Sequence, residues 1–248
     1  MRIVRLVAFV VIAVGGGAAW AADVESPGEA DPWEPFNRAM FSFNDTMDQY
    51  VLEPVARGYD FVVPDPVERG ISNFFQNLRV PINMVNGFLQ GKPVNGASDL
   101  GRFTVNTTIG LAGFLDPATH FGLERHEEDF GQTLAVWGVP SGPYVVWPVY
   151  GASTVRDTGG AAVDTAMSIM PFFLESYVTI GARVFEIVNA RSLVLEDVES
   201  ARAAALDFYV FVRSAYLQRR AALIHDEKDV TRDTDDSIYF PDVPTTPK

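Results

Sequence analysis

Apolar residues along this chain recur mostly at helical spacing. From Phe36 they fall at Met40, Phe43, Met47 and Tyr50, at intervals of 4, 3, 4 and 3, which lines them along one face of an amphipathic helix. Asp31 followed by Pro32 supplies the N-cap and first helical position. Phe41 falls off the stripe and broadens the apolar surface. Val67, Ile71, Phe74, Phe75 and Leu78 predict a second helix, and Ile82, Val85, Phe88 and Leu89 a third. Val94, Ala97, Leu100, Phe103 and Thr107 predict a fourth. Pro54, Pro64, Pro66, Pro81 and Pro93 each stand near the start of such a pattern. Proline ends or kinks a helix and restricts the residue before it. Helices punctuated this often must turn repeatedly, which predicts a mainly α fold with a curved or ring-like course. Residues 176–188 and 196–222 read as further helices. The second ends in Gln218-Arg219-Arg220, where cations favour a helix C-terminus.

Residues 131–155 break the pattern. The stretch carries no charged side chain and is long enough to span a bilayer, but its four glycines and three prolines forbid a continuous helix. It reads as the end of one helix, an apolar hairpin or loop over 138–150, and the start of another helix. A buried loop within an ordinary core is one reading of this segment. A membrane-interface or lumen-facing element is the other, and Trp137, Tyr144, Trp147 and Tyr150 favour it because such rings suit a boundary between apolar and polar media. Further on, Gly159-Gly160 is expected to loosen the chain, and Met170-Pro171-Phe172-Phe173-Leu174 is a second uncharged patch.

The first residues add a targeting signal. Arg2 and Arg5, an apolar run from Val7 to Val14 and Ala19-Trp20-Ala21 form a secretory signal peptide over 1–21, with cleavage expected after Ala21. Its apolar core is too short for a membrane span; an uncleaved anchor is the alternative. Residues 22–30 read as a flexible lead-in, 31–225 as a single helical domain, and 226–248 as a polar, disordered tail. The formal net charge of −13 becomes two units more negative once Arg2 and Arg5 are gone. An acidic chain repels nucleic acid and does not dock on anionic lipid through a basic patch. Membrane contact must then be apolar, and the 18 phenylalanines supply the surface for it. The sequence holds no cysteine, which removes disulfides, thiolate metal sites and the acylated cysteine of a lipoprotein.

Candidate chemistry is sparse. His120, His126 and His225 have no partner at zinc-pair spacing, and His126 with Glu127, Glu128 and Asp129 reads as a solvated helix start. Ser141 lacks the glycine two positions before it that a nucleophile elbow needs. Gly110, Gly113 and Gly122 are scattered and form no phosphate cradle. No catalytic, cofactor-binding or metal-binding residue is expected. Arg79, Arg102 and Arg156 stand in apolar surroundings. They read either as ion pairs, for example Arg102 with Asp99, or as groups that polarise a lumen through which a lipid headgroup passes.

Several blocks in order resemble a known family. They open with Asp31-Pro32-Trp33-Glu34-Pro35-Phe36-Asn37-Arg38-Ala39-Met40-Phe41-Ser42-Phe43-Asn44. Asn77-Leu78-Arg79, Pro81-Ile82-Asn83-Met84-Val85-Asn86 and Asp99-Leu100-Gly101-Arg102-Phe103 follow. Glu128-Asp129-Phe130-Gly131-Gln132-Thr133-Leu134, Ser141-Gly142-Pro143-Tyr144 and the helix from Asp207 to Arg220 complete the set. Over roughly residues 31–223 the chain resembles the MlaA/VacJ family. The resemblance implies a ring of short amphipathic helices around a central amphipathic channel, seated in the outer membrane on its periplasmic side, with one hairpin loop. It implies removal of mislocalised phospholipid from the outer leaflet, with a trimeric porin and a periplasmic phospholipid carrier protein as partners. It places the hairpin gate at Gly138, Pro140, Gly142, Pro143, Tyr144 and Trp147, with Pro140 stiffening a position where relatives often have glycine. Polar channel lining is expected from Arg79, Arg102 and Arg156. Membrane-facing positions are expected at Phe36, Phe41, Phe43, Phe74 and Phe75. Family members are usually lipidated at a cysteine, and this sequence has none; either an apolar belt alone holds the chain, or its start differs from the usual one. A non-transporting porin-associated scaffold and an envelope phospholipase are the competing readings.

Overall fold

The computed structural model describes residues 31–168, 170 and 174–226. The expected signal peptide and lead-in, residues 171–173 of the second apolar patch, and the tail beyond residue 226 lie outside these. The chain runs α1 (Glu34–Met47), a π-helical turn (Asp48–Leu52), α2 (Glu53–Val62), α3 (Asp65–Leu89), α4 (Pro93–Thr108), α5 (Pro117–His120) and α6 (Phe130–Val136). A β-hairpin follows, β1 (Tyr144–Trp147) with β2 (Gly151–Thr154). Then come α7 (Val155–Met167), α8 (Ser176–Ser192), α9 (Leu195–Ala204) and α10 (Phe208–Ile224). The fold is mainly α, as expected. Packing neighbours close a circuit: α1 on β1, β2 on α7, α7 on α6, α6 on α3, α3 on α8, α8 on α2, and α2 back to α1 through the π turn.

Prolines act less sharply than their spacing predicts. Pro81 lies inside the 25-residue α3, so the two helices expected over 67–89 are one. That helix packs along α4, α6 and α8, which holds its turns on both sides of the residue that lacks an N–H. Ahead of Pro54 the helix widens instead of ending: the Glu53 amide donates to the Asp48 carbonyl five residues back, the π register. Arg191 of α8 fastens that turn with two bonds to Asp48, of 2.8 and 3.1 Å. At the first helix Asp31 is not the N-cap; Trp33 occupies that position, and the Asp31 carboxylate accepts from the Trp33 amide at 3.0 Å. The single helix expected over 196–222 is two, because the Asp207 carboxylate accepts from the Val210 amide and starts α10.

Which face of each helix turns inward is the larger surprise. On α1 and the π turn after it, the stripe of Phe36, Phe43, Met47 and Tyr50 is exposed, while Asn37 has no exposed surface. On α4, Val94 and Leu100 are exposed and Asp99, Arg102 and Asn106 are buried. On α8, Tyr177, Ile180, Val184 and Ile187 are exposed while Asn189, Arg191 and Ser192 are buried. Phe61 of α2 is 89% exposed. An apolar exterior over a polar interior inverts the arrangement water favours, and fits an apolar medium outside. Among the described residues no helix is long and apolar enough to cross a membrane.

The hairpin is anchored by side chains. Tyr144 pairs Thr154, Val145 pairs Ser153, Val146 pairs Ala152 and Trp147 pairs Gly151. The other edge of β1 faces α1, and two asparagines one heptad apart take the place of a third strand. The Asn37 amide donates to the Tyr144 carbonyl at 3.0 Å and its oxygen accepts from the Val146 amide at 2.9 Å. Asn44 repeats this with the Trp147 carbonyl at 2.9 Å and the Val149 amide at 2.7 Å. A carboxamide carries both a donor and an acceptor, as a peptide group does, so it can satisfy a strand edge. The second pair also holds Val149 at φ +66°, a conformation unfavourable for a β-branched residue. Below the hairpin α6 and α7 touch through glycine. A Cβ on Gly160 would lie 2.3 Å from the backbone nitrogen of Gly131. Gly160 thus permits close packing inside a helix and does not loosen the chain.

Candidate functional site: a charge-paired central cavity

Within the ring lies a cavity of about 720 Å³. Its apolar lining includes Leu78, Val80, Ile82, Ala161, Met170, Ile180 and Leu223. Its polar lining comes from α3 (Asn73, Gln76, Asn77, Asn83), α4 (Asp99, Arg102, Asn106), the loop from Arg125 to Asp129, and helices α6, α7, α8 and α10. The hairpin contributes Tyr150, Ala152 and Ser153.

The arginines on this wall are matched to carboxylates. Arg102 Nη2 reaches both oxygens of Asp116, at 2.7 and 2.9 Å, and Arg125 reaches the same carboxylate at 3.2 Å. Asp116 caps α5, accepting from the Thr119 amide and hydroxyl, and takes a further bond from Asn106 at 2.8 Å. Burial raises its pKa, but bonds from Thr119 and Asn106 and the Arg102 guanidinium outweigh that and hold it down at about 2. Arg220 of α10 bridges Asp129, the α6 N-cap, and Asp157 of α7. Arg219 pairs with Glu127, and Arg79 and Arg183 share Glu186. His126 meets Asp99 at 3.1 Å, and that hydrogen bond raises its pKa against the opposing effect of burial. Asn86, fully buried, ties three helices: it donates to Asp164 on α7 and accepts from the Thr133 hydroxyl on α6.

Several expected positions move. Arg79 and Arg102 line the cavity; Arg156 does not, because it turns to Asp157 at 3.1 Å within the wall. Arg102 pairs with Asp116 and not with Asp99, since the chain after α4 folds back to bring Asp116 onto it. The run His126 to Asp129 is no solvated helix start: it has no regular secondary structure, Glu128 is buried against Lys92, and Asp129 caps the helix that follows. The hairpin sits later than expected. Gly138 ends α6 at φ +86°, Pro140 is exposed in the following loop, and Gly142 and Pro143 lead into β1. Tyr144 is buried against Tyr209 and Tyr216, and Trp147 is exposed with its ring nitrogen on Thr158. Tyr150, at the turn, is the hairpin ring that lines the cavity. Phe36 and Phe43 face outward, but Phe75 is buried against Phe185, and Phe41 packs edge-on to Phe208 and Tyr209. Phe74 is half-buried beside Phe75. Among the described residues no group of three or more His, Cys, Asp or Glu side chains is placed to hold a metal ion.

A helical ring with an apolar outside, a mixed-polarity cavity and one β-hairpin is a distinctive architecture. The family model described as MlaA lipoprotein matches residues 29–223. The chain belongs to the MlaA family. It is 39% identical over 203 residues to the intermembrane phospholipid transport system lipoprotein MlaA of Escherichia coli K12, covering 80% of each chain. It is 36% identical over 206 residues to the protein of the same description from Haemophilus influenzae, again covering 80% of each. A solved structure described as the structural basis for maintenance of bacterial outer membrane lipid asymmetry superposes with a TM-score of 0.71 at 40% identity, over 79% of this chain and 100% of that one.

Proposed function

We propose that this protein conducts phospholipid through its central cavity as the outer-membrane component of an intermembrane transport system. In this reading it takes mislocalised phospholipid from the outer leaflet, yields it to a periplasmic carrier protein, and works beside a trimeric porin. The observation that carries it is the cavity wall. Apolar residues such as Leu78, Ile180 and Leu223 suit acyl chains, and arginines already joined to carboxylates suit a headgroup that must not be trapped. Charge-assisted contacts from unpaired arginines would hold a phosphate tightly, which serves storage more than passage. The outward stripes of α1, α4 and α8 give the membrane an apolar belt. The relatives' transport role supports the choice of cargo.

The test is reconstitution of the full chain into vesicles carrying fluorescent phospholipid, with purified carrier outside. Transfer of intact lipid to the carrier, dependent on the protein, is the expected outcome. Absence of both co-purifying lipid and transfer refutes it and leaves a scaffold. Release of fatty acid refutes it in favour of a hydrolase.

A further inference from the structure

We infer that Arg79 and Arg183 form a phosphate subsite on the cavity wall, where the phosphodiester of a passing lipid docks. This inference rests on the transport reading above and gives its headgroup a place.

Arg79 on α3 and Arg183 on α8 converge on one carboxylate. Arg79 Nη2 donates to Glu186 Oε1 at 2.5 Å and Arg183 Nη1 donates to Oε2 at 2.6 Å. Glu186 is only 15% exposed, whereas each arginine side chain is 54% exposed. Two cations on one anion leave a local surplus of positive charge, and all three residues line the cavity. A guanidinium has five N–H donors in a planar fork that matches phosphate oxygens. Each of these two spends one on Glu186, and among the described residues the rest of the fork has no hydrogen-bond partner and can meet an incoming anion. The other clusters differ. Arg102 and Arg125 also share one carboxylate, Asp116, but Arg102 is 3% exposed with its donors taken by Asp116, Thr119 and the Leu123 carbonyl, and Arg125 is 33% exposed. Arg220 is 12% exposed and serves two aspartates.

The subsite also meets the hairpin. Tyr150, exposed at the hairpin turn, lines the same cavity; burial and the Asp129 carboxylate raise its pKa, and Arg183 opposes them. The cavity that holds the pair thus also holds a phenolic donor from the hairpin. Glu186 keeps the two forks side by side and weakens their hold on the phosphate, so that the lipid leaves again.

The test is native mass spectrometry of the full chain in detergent, titrated separately with phosphatidylglycerol, diacylglycerol and glycerol 3-phosphate. The wild type is expected to bind phosphatidylglycerol at least about tenfold tighter than diacylglycerol, as charge-assisted pairing predicts. The triple variant R79A/R183A/E186A, which leaves no orphaned carboxylate, is expected to lose that preference while still binding diacylglycerol. Glu186→Gln keeps both arginines and is expected to shift the other way, retaining phosphatidylglycerol more tightly and slowing its transfer to the carrier. A triple variant with the full preference overturns the subsite, as does one that loses both lipids equally, or a Glu186→Gln that weakens phosphatidylglycerol binding. Glycerol 3-phosphate bound as tightly as the lipid makes this a site for free phosphate and overturns its assignment to the headgroup. A wild type that transfers lipid but shows no preference sinks the subsite alone, whereas one that neither binds nor transfers lipid sinks the transport reading with it.

Discussion

Replacing Asn37 by alanine tests how the hairpin is held. The change removes the donor to the Tyr144 carbonyl and the acceptor from the Val146 amide, along with the bonds to Asp31. Tyr144 and Val146 are 2% and 1% exposed, so water cannot take over these groups. An orphaned buried donor or acceptor costs about 1–3 kcal/mol, so the two backbone groups together cost about 2–6 kcal/mol, a large part of the about 5–15 kcal/mol that holds a typical domain folded. Asn44→Ala cuts the matching pair of bonds to Trp147 and Val149, but both of those residues are exposed. Solvent then replaces the lost partners, and the cost falls to about 1 kcal/mol. Asn37→Asp keeps an acceptor for Val146 but sets an oxygen against the Tyr144 carbonyl and a second carboxylate near Asp31, so it destabilises at least as much as alanine. Denaturant unfolding of the full chain in detergent, followed by tryptophan fluorescence, gives the three free energies. If Asn37→Ala costs no more than Asn44→Ala, the asparagines do not substitute for a strand and the reasoning is wrong.

Three further outcomes follow from the packing and the charges. Gly160→Ala places a methyl against the Gly131 backbone, which has no free end to swing away, so thermal unfolding should show a loss of about 1–3 kcal/mol; Gly159→Ala, with nothing within 4 Å, should be neutral or stabilising by up to about 1 kcal/mol. Arg102→Lys keeps the charge but has no second nitrogen for Thr119 and the Leu123 carbonyl, and denaturant unfolding should show a loss of about 1–3 kcal/mol. His126 has its pKa raised by Asp99, so its contribution to stability is complete below the ordinary value of 6.5 and is lost as pH rises through the folded pKa; melting temperatures of wild type and His126→Gln across about pH 5–9 should converge at the alkaline end and separate at the acid end.

Helical periodicity was legible because it depends on local geometry alone. The intervals along α1 and α4 located both helices nearly to their observed ends. What the period does not carry is the sign of the inward face. Phe36, Phe43 and Leu100 mark the apolar stripe, but the interior takes Asn37, Asp99, Arg102 and Asn106. A polar cavity inside and an apolar medium outside reverse the usual rule, and only the medium distinguishes the two cases. Pairings across the ring were equally hidden. Asp129, Asp157 and Arg220 lie far apart in sequence and meet only once α6, α7 and α10 are packed. The hairpin was foreseen as an apolar turn but placed too early, because Gly138 signals the end of α6 as readily as it signals a turn. Asn37 and Asn44 stood in the motif that carried the resemblance, yet nothing local shows that a carboxamide will stand in for a strand.

The inversion and the charge pairing have one physical source. A ring that turns its apolar stripes outward must line its inside with polar side chains, and those cannot be left bare in a confined space. Neutralising them in place, as Arg102 with Asp116 and Arg220 with Asp129 and Asp157 do, costs flexibility but leaves a wall that attracts neither sign strongly. Such a wall holds its shape whether or not a lipid is present, because these charges are already joined to one another. Arg79 and Arg183 depart from this rule in that both are largely exposed while sharing one carboxylate. In the proposed transport reading, a conduit paired throughout would let a headgroup slide without pause, and this exposed pair would give it a place to stop in the cavity that Tyr150 of the hairpin also lines.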